Sequence, residues 1–184
     1  IASDKGEFSW VESRNVLSYV YLYLERDYQK ALAVTSSLVN DFPGHPFFAY
    51  LHAESLVRLK KYKEYDSLVL KLESFYTAGP KNQRVECRDK YLYLEALIAF
   101  QNANYQRSIE LCDEIIDGYE IEFKWILGYA HFIRGKSLEL SGNRGRAISD
   151  YKTSLLYLEH YPEYQEAEAL ISSSIPEAPG STPR

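Results

Sequence analysis

From Phe8 onward the apolar positions fall at three- and four-residue steps, so the chain reads as amphipathic helices separated by short polar turns. Trp10, Val11, Val16, Leu17, Val20, Tyr21 and Leu24 make the stripe of a first helix that ends near Arg26. Tyr28 opens a second, with Ala31, Leu32, Val34, Leu38 and Val39 on its inner face, and Pro43-Gly44 stops it because proline cannot extend a helix. Pro46 suits a first helical turn, where its fixed φ fits and its missing N–H would be unpaired anyway. The helix it starts runs to about Leu59. Its partner, Tyr62 to Tyr76, turns Leu68, Val69, Leu70 and Leu72 toward the core, and residues 77–84 form a loop that begins Thr77-Ala78-Gly79-Pro80. Further helices are predicted from Val85 to Asn102, Tyr105 to Gly118, Glu122 to Leu140 and Arg144 to His160, with Pro162 ending the last and a short cap from Glu163 to Ile171. Sustained apolar–polar alternation, the mark of a strand, is absent. The expected class is all-α: one helical domain over residues 8–172, between a frayed segment at 1–7 and a flexible, Ser- and Pro-rich tail at 173–184.

The turns repeat. Asp27-Tyr28-Gln29-Lys30-Ala31-Leu32, Lys61-Tyr62-Lys63-Glu64-Tyr65, Asn104-Tyr105-Gln106-Arg107-Ser108-Ile109 and Asn143-Arg144-Gly145-Arg146-Ala147-Ile148 place equivalent residues Tyr28, Tyr62, Tyr105 and Arg144 at spacings of 34, 43 and 39 residues. A unit of that length is one helical hairpin, and hairpins of this kind bury their apolar faces only by stacking on one another. Ala53, Ala96 and Gly135 fall at one equivalent position, where a first helix must come close to its partner.

These units resemble tetratricopeptide repeats. The likeness rests on Tyr28, Ala31 and Pro43, on Ala53 and Tyr62, on Ala96 and Tyr105, and on Gly135, Gly142, Ala147, Tyr151 and Pro162, and it covers about residues 12 to 172. Two positions depart from the pattern: Tyr19 stands where a small residue is expected and Tyr65 where alanine is usual. The fourth unit and the Tyr164-Gln165-Glu166-Ala167 segment after it are similar to the last repeat and cap of bacterial repeat proteins. The resemblance implies a right-handed α–α superhelix, a solenoid of about four hairpins with a capping helix, whose concave groove is lined by the first helix of each hairpin. On that register one inward row holds Val16, Tyr50, Tyr93 and Phe132. Neighbouring rows hold Phe47, Lys90 and Tyr129, then Glu54, Leu97 and Lys136, then Tyr23, Val57, Phe100 and Glu139.

The implied function is a non-catalytic scaffold that binds a peptide or partner protein. Tyr50, Tyr93, Leu97, Phe100, Tyr129 and Phe132, with Phe47, would be apolar anchors, and Glu54, Arg58, Lys90 and Lys136 would choose among charged partners. Tyrosine and phenylalanine serve such surfaces because they give large contact area at small entropic cost. Whether this aromatic row is open groove or packed core is left undecided by the sequence. If it is groove, replacing Tyr93 and Phe132 with Ala should abolish capture at less cost in stability than a core deletion. The carboxylate clamp of one branch of the family is incomplete here, since Val16, Val20 and Leu94 stand beside Lys90 in its four positions. The alternative is a structural subunit that self-associates or docks through its convex face or ends.

Composition narrows the other classes. The 184 residues are 46% hydrophobic and 26% charged, enough apolar content to build a core, and 17 are tyrosines available to fill gaps between helices. With a net charge of −5 and both signs interspersed, the chain has no basic footprint for nucleic acid. Its most apolar run, Tyr91 to Phe100, is about half of the roughly 20 residues that a bilayer span needs. Ile1 opens the chain and no basic-then-apolar leader precedes Asp4, which leaves a removed targeting segment and an excised piece as alternatives and the compartment open. His45, His52, His131 and His160 are scattered without metal-ligand spacing, and the acidic run Asp113, Glu114, Asp117, Glu120 and Glu122 lacks the loop pattern of a calcium site. No cofactor or metal is expected. Gly142-Asn143-Arg144-Gly145 is an inter-helix turn, lacking the strand and Lys-Ser/Thr of a phosphate loop. Cys87 and Cys112 are offset along one hairpin and read as free thiols.

Overall fold

A computed structural model describes residues 7–119 and 124–173, and among them every regular element is helical. The helices are α1 (Glu7–Tyr19), α2 (Tyr28–Asp41), α3 (Pro46–Arg58), α4 (Tyr62–Thr77), α5 (Lys81–Gln101), α6 (Tyr105–Asp117), α7 (Trp125–Leu140), α8 (Arg144–Leu155) and α9 (Pro162–Ser172). A π-helical turn, Val20–Leu24, continues α1. Each helix packs on the next, and α5 also packs on both α3 and α7, so the first helices of the last three hairpins form one layer. The ends expected to be tails lie outside the described residues, except Glu7, which starts α1, and Ser173, which caps α9.

The repeated sequence landmarks are one repeated turn. Arg26, Lys60, Ala103 and Gly142 each carry a positive φ, from 55° to 83°, two residues before a helix starts. In three of these turns the next residue closes the preceding helix in the same way, with Lys61 N, Asn104 N and Asn143 N donating to Leu56 O, Ala99 O and Leu138 O at 2.7–2.9 Å. Asp27, Asn104 and Asn143 then cap the following helix by accepting from the backbone N–H three residues on, which is why polar residues recur there. Only Gly142 adopts the left-handed conformation without a side-chain penalty.

Close approach at the small residues is also visible. Ala53 and Ala96 are wholly enclosed, and a Cβ on Gly135 would lie 2.7 Å from the Tyr151 ring. Gly128 plays the same part against Leu158 and Tyr157. That contact accounts for one departure from expectation: α8 stops at Leu155 instead of reaching His160, because a tight turn folds Leu158 back into the core against α7. Other boundaries move less. The first helix changes to π geometry at Val20, and α5 begins at Lys81, inside the expected loop. α7 is described from Trp125, and the expected start at Glu122 lies outside the described residues. Leu70 points to solvent, 80% exposed, because the buried stripe of α4 runs Tyr65, Leu68, Val69, Leu72 and leaves it to one side. No helix of the described residues is long and apolar enough to cross a membrane.

Candidate binding site

Inside the layered first helices lies a polar hub built from Glu54 and Arg58, one turn apart on α3. Arg58 donates through Nε and Nη2 to Glu54 Oε1 at 3.3 and 3.2 Å, and through Nη2 to the Tyr93 hydroxyl on α5 at 2.6 Å. Tyr23, from the π-turn, donates to Glu54 Oε2 at 2.6 Å, and Tyr93 donates to Oε1 at 3.3 Å. The guanidinium also faces the rings of Tyr28 and Tyr129 at 5.6 and 5.9 Å. Burial alone would pull the Arg58 pKa down, but the oxygens of Tyr93 and Glu54 outweigh it and hold the pKa well above its ordinary value. Burial first, and Glu54 beside it, push the Tyr23 hydroxyl in the same direction, so it stays a donor. A second link joins the ends of the chain: Tyr129 on α7 donates to Glu163 Oε2 at 2.9 Å, and Arg26 pairs with Glu163 Oε1 at 2.7 Å. Five elements, the π-turn, α3, α5, α7 and α9, are thus tied through tyrosine hydroxyls to two buried carboxylates.

This geometry places the residues singled out from the sequence. Tyr50, Glu54, Lys90, Tyr93, Leu97, Tyr129 and Phe132 are all buried, with Tyr93 wholly enclosed, and Phe47, Arg58, Phe100 and Lys136 are half-buried. The aromatic row is brought together, but as packed interior. Tyr93 and Tyr129 stack obliquely with centroids 5.8 Å apart, and Tyr23 reaches Tyr129 and Trp125 from the other side. Val16 does not join the row: it is 59% exposed, whereas Tyr23, in the neighbouring inward row, is buried, and Tyr19 packs on Tyr23 and Phe47. The two lysines are engaged as well. Lys90 pairs with Glu86 over the rings of Phe47 and Tyr50, at 4.5 and 5.2 Å. Lys136 donates to Glu166 at 2.7 Å and lies over Phe100 and Phe132.

What stays open is the end of this layer where α3, α5 and α7 begin. A cleft of about 330 Å³ lies between Tyr19, Phe47, Glu86, Lys90, Tyr119, Trp125, Ile126 and Tyr161. A narrower cavity of about 90 Å³ shares Phe47, Glu86 and Lys90 with it and runs on toward Tyr50, Leu72 and Phe75. Of the cleft's lining, the repeat register points only to Phe47 and Lys90. Tyr119 and Tyr161 stand in turns, where helical periodicity says nothing about direction. Tyr19 did carry a signal, as a large ring at a position where the repeat pattern expects a small residue.

A separate cluster ties α6, α7 and α8. Arg134 donates to both oxygens of Asp150 at 2.8 and 2.6 Å and to Asp113 at 2.5 Å, and His131 Nδ1 lies 2.9 Å from Asp150. Burial raises the Asp150 carboxyl, but the hydrogen bonds from His131 and Arg134 outweigh it and hold its pKa below the usual value. A lowered pKa means stability that is complete above the unfolded-state value and lost as pH falls through the folded one. Wild type and Asp150→Asn should therefore converge in urea midpoint as pH drops below about 4, with wild type more stable at neutral pH. With Asp113 held by Arg134 and Glu114 by Arg88, these two members of the acidic run serve ion pairs, and no group of three metal-ligating side chains occurs among the described residues. Glu120 and Glu122 lie outside them. Both cysteines are free thiols whose pKa burial raises, Cys112 the more deeply enclosed.

Comparison with protein-family models, with curated proteins and with solved structures returns no match.

Proposed function

We propose that this chain is a non-catalytic protein-interaction module, its hairpins stacked in the manner of tetratricopeptide repeats and its partner peptide seated in the cleft where α3, α5 and α7 begin. The carrying observation is that cleft: about 330 Å³ walled, among the described residues, by Tyr19, Phe47, Tyr119, Trp125 and Tyr161, with Glu86 and Lys90 among the rings. Pockets of this volume with mostly aromatic walls and few polar groups are typical ligand sites. The Glu54–Arg58 hub and the Lys136–Glu166 pair hold the helices that present it. Selection of a displayed random-peptide library against the full chain tests the reading. Enriched peptides should bind wild type and lose about tenfold or more with Trp125→Leu, as for an aromatic anchor at an interface. Failure to enrich any sequence, or indifference to position 125 in a folded variant, would end it.

A second reading, self-association, is favoured by one observation. Trp10, Leu17 and Leu24, seven residues apart, are exposed along the first helix together with Val16. Sedimentation over a range of concentration separates the two: association should appear without peptide and vanish in Leu17→Glu. A wild type that stays monomeric at high micromolar concentration disposes of this second reading.

A further inference from the structure

We infer that the cleft is an aromatic cage for an arginine side chain of the partner peptide, with Glu86 as its carboxylate. The inference rests on the peptide-binding reading and names the chemistry that the site selects.

Aromatic rings carry a negative face, so several of them around one space attract a cation, the more so when water is excluded. Tyr19 and Phe47 stand with centroids 5.8 Å apart at one side of the cleft, and Tyr119, Trp125 and Tyr161 close the others. The molecule already uses one corner in this way. Lys90 is nearly buried, yet its ammonium is held over Phe47 and Tyr50 with Glu86 as counter-ion. That pairing involves Glu86 Oε1; the carboxylate is half-exposed at the cleft wall, which leaves Oε2 to accept from an incoming donor.

The electrostatic surroundings agree. After burial, the charges that weigh on the cleft hydroxyls are carboxylates: Glu54 and Glu86 on Tyr19, Asp89 and Glu86 on Tyr119, and Glu163 on Tyr161. Each raises the hydroxyl pKa, as a negative local potential must, and the same potential favours a bound cation. Among organic cations the guanidinium fits best. It is planar and weakly hydrated, stacks on ring faces, and presents several N–H donors in a fixed fork for a carboxylate. A quaternary ammonium would find the rings but could give Glu86 no hydrogen bond.

The test uses the full chain labelled with nitrogen-15, and N-acetyl-arginine methylamide as probe against its neutral citrulline counterpart. The indole N–H signal of Trp125 should shift saturably with arginine and hardly at all with citrulline, while Trp10, the other tryptophan, reports non-specific change. Glu86→Gln should weaken the arginine about fivefold, the share of a charge-assisted hydrogen bond in a partly solvated site. Lys90→Met, which removes the competing cation and frees the carboxylate, should strengthen it. Equal response to citrulline, loss of binding in Lys90→Met, or no titration of Trp125 by arginine would each overturn the cage. The two readings part cleanly: library peptides that bind at Trp125 without any basic residue sink the arginine inference alone. A cage that takes the arginine probe from a protein that enriches no peptide sinks the peptide reading alone.

Discussion

Replacing Glu54 with Ala should destabilise the chain by about 3–5 kcal/mol, the cost of leaving one member of a buried ion pair without the other. In Glu54→Ala the Arg58 guanidinium keeps the Tyr93 hydroxyl and two ring faces but loses its counter-charge, and the Tyr23 hydroxyl loses its acceptor as well. For a domain of this length that corresponds to a fall in melting temperature of about 10 °C or more, readable by circular dichroism. The double variant Glu54→Leu/Arg58→Met removes both charges together and should recover part of the loss, that due to the unpaired charge, while the Tyr23 and Tyr93 hydroxyls still lose these partners. A single variant that loses less than about 1 kcal/mol would mean that the hub is hydrated like a surface pair.

The second large effect concerns the aromatic row. Tyr93→Ala combined with Phe132→Ala should cost about 3–5 kcal/mol at each position, as large-to-small changes in packed cores do. This reverses the expectation for an open groove, in which the same double change spares stability. Both rings are enclosed, and Tyr93 touches Trp125 and Tyr129 while its hydroxyl sits between Arg58 and Glu54. Tyr93→Phe isolates the hydroxyl and should cost about 1–3 kcal/mol, since it orphans partners that burial keeps from water. Urea midpoints measure all three. A double alanine variant as stable as wild type would return the row to the surface.

Much of the helical layout was legible in the order of residues because its causes are local. The repeated left-handed turn announces itself through Asp27, Asn104 and Asn143, whose short polar side chains cap the next helix, and through Gly142. Ala53, Ala96 and Gly135 mark close helix contacts: the two alanines are wholly enclosed, and a Cβ at Gly135 would meet the Tyr151 ring and the Ala147 backbone. Where the chain departs from these signals the cause is tertiary. Leu156-Tyr157-Leu158 continues the apolar pattern of α8, yet Leu158 gains more by turning onto Gly128 than by extending the helix. The π-turn at Val20–Leu24 has no local signature, and in the first hairpin Tyr23 lies inward as the register expects while Val16 is exposed.

The site follows the same division. That tyrosines, Glu54, Arg58 and Lys90 share one side of the first helices is a matter of helical period, and the residue order alone established it. Which of them meet solvent was decided only by how α1, the π-turn and α9 close over that side. Arg26 and Glu163 lie at opposite ends of the chain and meet at 2.7 Å, and Tyr23 and Tyr161 come together beside them. Periodicity within one helix carries no information about a partner more than a hundred residues away, so the enclosed row and the cleft at its rim are properties of the assembled helices.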